Sequence, residues 1–512
     1  MNGAEVLLRT LLANRVDLCL MNPGTSEMQF VSALDRVPAM RGILCLHEGV
    51  CAGAADGYAR MTGRPATVLL HLGPGLANGL SNFHNARKAR SPIVNIVGEH
   101  ATAHLRYDAP LTADVAAFAR PVSGWVQTLA NAAEMGETAS ACVQAAYGPP
   151  GQVSTLIVPA DFSWSPAGGP GPVVEPATRG MPASSRIEAA AAALRQGDAA
   201  LLLGGSALLE PGLTEAARIR AATGAQVFTN RYAGRVVRGA AWSFARRVAY
   251  FPEAAEEMLA GLRHIVLVET EPPISFFGYP GRRSTVAPED CLFTQLAAMD
   301  EDGPGALRAL ADKLHAPAWQ PATAPPPELP PSGPLTPESL GRVLAALLPE
   351  GAIVSDEMVS CGEAVNAALA TAARHDLLPL SGGSIGQGLP VAVGAAMACP
   401  ERKVVAIEAD GSGLYTPQAL WTMAREKLDV TVVILANRRY RILEVEMLRT
   451  GATQIGPRAD EMIDIARPAI DWTLLGRSLG VDSVRAATAD AFASEFAAAV
   501  RTRGPKLIEA VL

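Results

Sequence analysis

Four features that would place this chain in a specialised class are missing from its 512 residues. No apolar run reaches the length of a membrane span, and the opening MNGAEVLLRT lacks the basic start and apolar segment of an export signal. The seven cysteines are scattered without paired spacing, which argues against a disulfide framework or a zinc site. A net charge of −7 gives no basic footprint for nucleic acid. We therefore expect a cytoplasmic protein that binds neither membranes nor nucleic acid.

What the chain does have is ample apolar core. Hydrophobic residues make up 49% of the sequence, and its length exceeds one ordinary domain. Two proline- and glycine-rich stretches, 165–184 and 316–337, show neither helical nor strand periodicity and are typical of extended linkers. They leave blocks 1–164, 185–315 and 338–512, each alternating short apolar runs with alanine-rich helical patterns. We predict an α/β fold of three doubly wound domains with parallel sheets.

The stretch 408–440 is the most informative part of the chain. Apolar runs at 404–407 and 430–435 predict two buried parallel strands. Thr416 followed by Pro417 predicts a capped helix start between them. In such a unit the loops after both strands open on the same edge of the sheet, where parallel sheets bind ligands.

Asp410 and Asn437 directly follow these two strands, so we expect them to meet at that edge. Their carboxylate and amide oxygens are hard ligands suited to Mg²⁺ that is shared with phosphate oxygens. The glycines of the loop 410–413 let backbone N–H groups approach a diphosphate. An Asp-Gly pair alone more often marks a simple turn, but here the helix and second strand supply the context of a cofactor site.

Thr25, Glu48 and His71 each follow a predicted strand of the first block, which places them at one rim. Glu48 precedes a helix of small residues, a poor place for a solvated carboxylate, so we assign it a functional role. His71 suits proton transfer near neutral pH, with a hydrogen-bonded core position as the alternative. Thr25 can equally belong to its turn.

The segment 381–397, SGGSIGQGLPVAVGAAM, is the second glycine-rich signal. Gly383 and its glycine neighbours let a bulky ligand approach the backbone, and Ile385 is the one large apolar side chain among them. A flexible loop is the alternative, but Leu389 and Pro390 lead straight into an apolar helix and indicate an ordered turn.

The middle block is less informative. Its runs at 199–205 and 264–269 predict buried strands, and the first ends in glycines that can admit a nucleotide. No full dinucleotide fingerprint follows, so a strand-to-helix turn is the simpler interpretation. Arg246 and Arg247 can face an acidic substrate or form a solvated pair.

The stretch 408–440 resembles the diphosphate and magnesium motif of thiamine-diphosphate-dependent enzymes, in the branch that contains acetolactate synthase and benzoylformate decarboxylase. NPGTSE, HEGVCAGAADGYARMTG and HLGPGLANGLSNFHNARKARSPIVNIVGEH are similar to the pyrimidine-binding domain of that family. The resemblance implies a pyrimidine-binding domain in 1–164, a central Rossmann-like domain in 185–315 and a diphosphate-binding domain in 338–512.

The resemblance also implies site residues. Glu48 matches the glutamate that contacts the aminopyrimidine N1′, and His71 falls where benzoylformate decarboxylase has an active-site histidine. Ile385 matches the residue that bends the cofactor, and the Gly383 carbonyl would meet the 4′-amino group. The implied ligands are Asp410, Asn437 and the Arg439 carbonyl for Mg²⁺, and Gly411, Ser412, Tyr415 and Ser360 for the phosphate oxygens.

The implied activity is thiamine diphosphate- and Mg²⁺-dependent conversion of 2-oxo acids through a C2 ylide and an enamine, by decarboxylation, carboligation or both. Acetolactate synthase is the first assignment, and a benzoylformate decarboxylase-like decarboxylase is the alternative. A flavin-linked oxidase and a non-catalytic family member are alternatives of another class, and FAD is not expected. Family sites join domains of two subunits, which implies at least a homodimer and, as the expected state, a homotetramer.

Several residues depart from the family pattern. Ala409 and Ala436 replace a Gly and an Asn without removing a metal ligand. RYDAPLTADVAAFARPVSGW replaces the Asp-Ala-Phe-Gln-Glu segment of typical acetolactate synthases. Arg438, Arg439 and Arg441 follow the metal-binding Asn, where they suit an acidic substrate or form a solvated cluster. These departures weaken the assignment to acetolactate synthesis in particular.

Overall fold

The computed structural model describes residues 1–322 and 324–512, so Thr323, inside the predicted linker 316–337, lies outside the described residues. Within these ranges the chain forms three α/β sheets of six, five and seven strands, which confirms the predicted fold class. No helix in the described ranges is long and apolar enough to cross a bilayer.

The first domain alternates helices and strands, and its sheet is buried because helices cover both faces. Its helices are α1 Gly3–Ala13, α2 Met28–Ala33, α3 Glu48–Thr62, α4 Leu72–Ala89, α5 Val115–Ala119, α6 Met135–Tyr147 and α7 Ala160–Trp164. Its strands are β1 Leu18–Met21, β2 Arg41–Leu44, β3 Ala66–Leu70, β4 Ile93–Glu99, β5 Trp125–Thr128 and β6 Val153–Pro159. The strand order is β2-β1-β3-β4-β6-β5, with all neighbours parallel.

The middle domain contains a smaller parallel sheet. Its helices are α8 Ser184–Arg195, α9 Glu210–Thr223, α10 Pro252–Leu259 and α11 Gly303–Lys313. The strands of this segment are β7 Ala199–Leu203, β8 Gln226–Thr229, β9 Val236–Arg238, β10 Ala245–Arg247, β11 His264–Val268 and β12 Leu292–Ala297. The sheet order is β10-β8-β7-β11-β12, and β9 leaves it to join the third sheet.

The third domain carries the largest sheet. Its helices are α12 Pro337–Leu347, α13 Gly362–Leu369, α14 Gly388–Ala398, α15 Asp410–Gly413, α16 Gln418–Arg425, α17 Arg441–Arg449, α18 Pro457–Glu461, α19 Trp472–Ser478 and α20 Ala489–Arg501. Its strands are β13 Ala352–Glu357, β14 His375–Pro379, β15 Val404–Ala409, β16 Val430–Ala436, β17 Asp482–Ala486 and β18 Lys506–Val511. The order is β17-β18-β16-β15-β13-β14-β9, and only the β14–β9 pair within it is antiparallel.

The helix start predicted at Pro417 with a Thr416 cap is wrong in detail. Helix α16 begins at Gln418, and the Thr416 hydroxyl donates to the Gly386 carbonyl at 2.9 Å. A buried hydroxyl needs a partner, and here the partner belongs to the glycine-rich segment. Thr416 therefore ties the start of α16 to that segment.

Glycines bring the first and third domains of the chain into close contact. A Cβ on Gly394 of α14 would lie 1.8 Å from the Ala54 carbonyl oxygen, and one on Gly57 of α3 would lie 2.1 Å from the Val391 carbonyl oxygen. The two helices therefore touch backbone to backbone. A single apolar core continues through them from the first sheet to the third.

A buried ion pair reinforces this contact. The Arg60 guanidinium donates to both carboxylate oxygens of Asp56, at 2.8 and 2.5 Å. It also donates to the Ser381 hydroxyl at 2.8 Å and to the Pro379 carbonyl at 2.9 Å. Because Arg60 belongs to α3, the first domain fixes the entry to the glycine-rich segment of the third.

Candidate active site

Asp410 and Asn437 come together at the carboxyl ends of β15 and β16. Asp410 is 3% exposed, and its carboxylate accepts the backbone N–H of Gly411 at 2.9 Å and of Arg438 at 2.6 Å. Burial raises the pKa of Asp410 to about 6. Within the described ranges no cationic side chain forms an ion pair with it. A buried carboxylate with no cation of its own fits a metal ion.

The remaining predicted ligands supply more oxygen. The Asn437 side-chain oxygen accepts the Arg439 N–H at 3.0 Å, which fixes the amide beside the loop. The Arg439 carbonyl accepts from the Arg441 N–H at 2.8 Å and keeps a second lone pair. The Arg439 guanidinium pairs with Glu444 and Asp460, at 2.9 and 2.5 Å. The donor set is all oxygen, as Mg²⁺ prefers.

The loop that would meet a diphosphate differs in detail from expectation. The Ser412 hydroxyl donates to Glu408 at 2.5 Å, so any phosphate contact from Ser412 falls to its backbone N–H. Tyr415 is 53% exposed, and a Cβ on Gly386 would lie 2.6 Å from the Tyr415 Cβ. Tyr415 therefore packs on the glycine-rich segment while its ring remains open to solvent.

A cavity of about 450 Å³ lies between the middle and third domains. Ser360, Gly383 and Ile385 line it, so the structure brings these three predicted cofactor residues together. Gly383 has a φ of +78°, which favours glycine, and a Cβ there would lie 2.5 Å from the Phe276 ring. The facing wall is aromatic and consists of Tyr232, Tyr250, Phe251, Phe276 and Phe277.

Arginines of the middle domain also reach this cavity. Arg231 lies over the Tyr250 ring, 5.1 Å from its centroid, and burial lowers the pKa of Arg231 to about 10. Arg247 pairs with Asp356 at 3.4 Å and lines the cavity. Arg246 instead is exposed and donates to a surface glutamine. The predicted arginine pair is therefore split between cavity and solvent.

Glu357 supports the turn that presents Ile385. Its buried carboxylate accepts three consecutive N–H groups, from Gly386 at 2.6 Å, Gln387 at 2.7 Å and Gly388 at 2.5 Å. Burial raises the pKa of Glu357 to about 7. Sequence reasoning missed this role, although a carboxylate directly after an apolar strand was the available signal.

Two asparagine side chains hold the Glu48 side chain in place at the start of α3. Asn22 donates to one oxygen and Asn78 to the other, each at 3.1 Å, and Glu48 is 8% exposed. Both asparagines lie inside motifs that resembled the family, but neither stood out by itself. The two amides leave the carboxylate fixed in position.

His71 has an unforeseen partner in Glu27. The Nδ1 atom of His71 lies 2.8 Å from the Glu27 carboxylate, which also accepts the Gly24 N–H at 2.9 Å. Burial raises the pKa of Glu27, and the contact with His71 opposes that shift. Thr25 opens the turn that carries Glu27 and is exposed. The pair resembles the orienter and base of acid–base sites.

The predicted site residues fall into two groups within one chain. In the described ranges, the first-domain group of Thr25, Glu48 and His71 does not line the cavity that Ser360 and Ile385 line. The first domain instead braces the glycine-rich segment through α4. The α4 contacts are Asn82 to the Gly386 carbonyl at 3.1 Å, His84 to the Gly382 carbonyl at 3.1 Å and Asn85 to the Ser384 carbonyl at 2.7 Å.

Known proteins match this chain over its whole length. Profiles of the thiamine pyrophosphate enzyme N-terminal and C-terminal TPP binding domains match residues 1–131 and 360–510. A Mycobacterium tuberculosis protein provisionally named acetolactate synthase large subunit IlvX is 48% identical over 100% of this chain and 99% of its own. Benzoylformate decarboxylase of Pseudomonas aeruginosa is 30% identical over 95% of this chain and 94% of its own.

A solved structure shows the same fold. The thiamine diphosphate-dependent 4-hydroxybenzoylformate decarboxylase of Rhodococcus jostii superposes with a TM-score of 0.87 at 24% identity, over 99% of this chain and 98% of its own. The chain therefore belongs to the thiamine pyrophosphate enzymes, and the resemblance found in its sequence is confirmed. It is a thiamine diphosphate-dependent enzyme of the carbon–carbon lyase or transferase type.

Proposed function

We propose that the protein decarboxylates a 2-oxo acid and releases an aldehyde or joins the remaining fragment to a second carbonyl compound. One observation carries the proposal: a cluster of oxygen ligands at the ends of β15 and β16 occurs together with a cavity that Gly383 and Ile385 line. Thiamine diphosphate supplies the carbanion chemistry when it is bound. The names of the relatives, acetolactate synthase and benzoylformate decarboxylase, support 2-oxo acids as the substrate class.

The residues of the third domain bind and shape the cofactor. Asp410, Asn437 and the Arg439 carbonyl would hold Mg²⁺, since they offer three oxygens and one buried negative charge. Ser360 and the loop 410–413 would contact the diphosphate. Removal of Mg²⁺ with EDTA should abolish turnover, and added Mg²⁺ should restore it.

The residues of the first domain move protons. Glu48 would share a proton with the pyrimidine N1′, because Asn22 and Asn78 fix its carboxylate. With Glu27 accepting from Nδ1–H of His71, the Nε2 atom of His71 is left to exchange a proton with substrate. Glu48→Gln should abolish turnover while leaving Mg²⁺-dependent cofactor binding measurable by calorimetry.

The site would form between two subunits, in a homodimer or in a homotetramer built as a dimer of dimers. What supports this is that Glu48 and His71 do not line the cavity of their own chain within the described ranges. Mixing refolded Glu48→Gln and Asp410→Ala subunits tests it, because half of the dimers would be mixed and each would hold one intact site. About a quarter of wild-type activity should return. If each variant is inactive alone and the mixture recovers no activity, the idea of a site shared between subunits is refuted.

Decarboxylation of an aryl 2-oxo acid is the second candidate, and the aromatic cavity wall favours it. Purified protein with thiamine diphosphate and Mg²⁺ should be given pyruvate and benzoylformate separately. Acetolactate from pyruvate supports carboligation, and benzaldehyde from benzoylformate supports the second candidate. An absence of carbon dioxide release across a panel of 2-oxo acids would refute the proposed substrate class.

A further inference from the structure

The middle sheet has an anion contact at the place where open parallel sheets bind ligands. β7 lies between β8 and β11, so the strand order reverses at the crevice between β7 and β11. Nucleotide phosphates bind at such switch points, on N–H groups at the starts of turns and helices. In this chain β7 leads into Gly204 and Gly205, and β11 leads into Glu269.

Glu269 fills the crevice with its own carboxylate. One oxygen accepts the Ser206 N–H at 2.5 Å, and the other accepts the Ser206 hydroxyl at 2.6 Å and the Gly303 N–H at 2.9 Å. The Arg179 guanidinium lies 3.2 Å away and compensates the charge. Glu269 is 2% exposed. The groups that would hold a phosphate therefore already hold an anion.

The backbone is shaped around this carboxylate. A Cβ on Gly205 would lie 2.0 Å from one carboxylate oxygen, and a Cβ on Gly303 would lie 2.4 Å from the other. Glu269 itself has a φ of +50°, a conformation that is costly for a residue other than glycine. Such strain persists where surrounding contacts over-determine it. Here the contacts are those of the buried carboxylate.

The linker closes the crevice from outside. The Gly180 carbonyl accepts the Asp302 N–H at 2.9 Å, directly before α11 begins at Gly303. Arg179 precedes Gly180, so the same turn of the linker delivers the cation to Glu269. The linker thus crosses the start of α11, where a nucleotide would have to enter.

We infer that Ser206, Gly303 and Arg179 form an anion-binding cradle that Glu269 occupies from within, so that the middle domain takes no phosphate-bearing nucleotide such as FAD or ADP. The cradle accepts carboxylate or phosphate chemistry, and the chain supplies that group itself. The inference is separate from the proposed reaction, because none of these residues lines the catalytic cavity in the described ranges.

The test removes the Glu269 carboxylate from the cradle in the full-length protein. Glu269→Gly removes the carboxylate and relieves the positive φ, whereas Glu269→Gln is the matched control that keeps the size of the side chain and removes its charge. Thermal unfolding is followed with formate or inorganic phosphate at tens of millimolar, against chloride at equal ionic strength. With the protein saturated with thiamine diphosphate and Mg²⁺, so that the proposed diphosphate site is occupied, the midpoint of Glu269→Gly should rise by about 2–4 °C more with either anion than the midpoints of wild type and Glu269→Gln.

Wild-type protein saturated with thiamine diphosphate and Mg²⁺ is also titrated with FAD and with ADP by calorimetry, and no binding is expected. Binding of either nucleotide, or flavin absorbance in the purified protein, would overturn the inference. A Glu269→Gly protein indifferent to formate and phosphate would overturn it as well. If Glu269→Gly does not fold, the unfolding midpoint of Glu269→Gln decides between the outcomes. The charge that this variant loses faces three hydrogen-bond donors and Arg179, so its midpoint should lie at least about 3 °C below that of wild type. A midpoint equal to wild type would then overturn it.

Discussion

Replacing Gly394 by alanine tests whether the first and third domains depend on backbone contact between α3 and α14. The added Cβ would lie 1.8 Å from the Ala54 carbonyl oxygen and 2.6 Å from the Tyr58 nitrogen. Ordinary carbon–oxygen contacts are no closer than about 3.3 Å, so the helices must separate by more than about 1 Å. Overpacking of this kind costs about 1–3 kcal/mol, and the upper end applies because backbone atoms cannot rotate away.

The assay is thermal unfolding of the cofactor-free protein. For domains of this size about 3 kcal/mol corresponds to a midpoint lowered by about 6–12 °C. Gly362→Ala is the matched control, since Gly362 is also helical but its Cβ would meet nothing closer than 3.7 Å. That control should be neutral or slightly stabilising. A Gly394→Ala midpoint equal to that of wild type would refute the reasoning.

Three further substitutions test individual contacts. Arg60→Met leaves the fully buried Asp56 without its cation and should cost about 3–5 kcal/mol in urea unfolding, whereas loss below about 1 kcal/mol would show that the pair is dispensable. Glu357 keeps its proton to about pH 7 in the folded state and loses it near 4.5 when unfolded, so stability should fall by about 3 kcal/mol as pH rises through that window. Urea unfolding at several pH values checks this, and Glu357→Gln should flatten that part of the profile. Glu27→Gln keeps the contacts to Gly24 and His71 but removes the charge, so kcat should fall by about 10²-fold with cofactor affinity unchanged. Weaker cofactor binding with an unchanged kcat would instead assign Glu27 a structural role.

The ends of strands were predictable from the sequence, because an apolar run marks a buried strand and the polar residues that follow it mark its carboxyl end. That pattern placed Asp410, Asn437 and Glu48 correctly at the edges of their sheets. The same pattern marks Glu357 only as a carboxylate at the end of a strand and does not mark Glu27, because the role of each depends on which donors the fold brings to a buried carboxylate.

The departures of β9 and Thr416 from expectation have related causes. β9 has three residues, too few for a periodic pattern, and its pairing with the third sheet is set by tertiary contact. Thr416 has the sequence signature of a helix cap, but its hydroxyl donates to the Gly386 carbonyl, and no side-chain cap hydrogen bond forms at the start of α16 in the described residues. In both cases a hydrogen-bond partner distant in sequence determines the structure, and the local sequence preference does not.

The first domain acts on two different third domains if the proposed dimer is correct. Asn82 donates to the Gly386 carbonyl of its own chain, whereas Glu48 would serve the cofactor held by the second chain. Asn82→Ala should therefore damage the site whose third domain belongs to the same chain. A mixture of Asn82→Ala and Asp410→Ala subunits should therefore be no more active than Asn82→Ala alone. A mixture of Glu48→Gln and Asp410→Ala subunits should instead recover about a quarter of the wild-type activity. Recovery by both variants would mean that Asn82 and Glu48 act on the same cofactor, and the division of the first domain between two sites would be wrong.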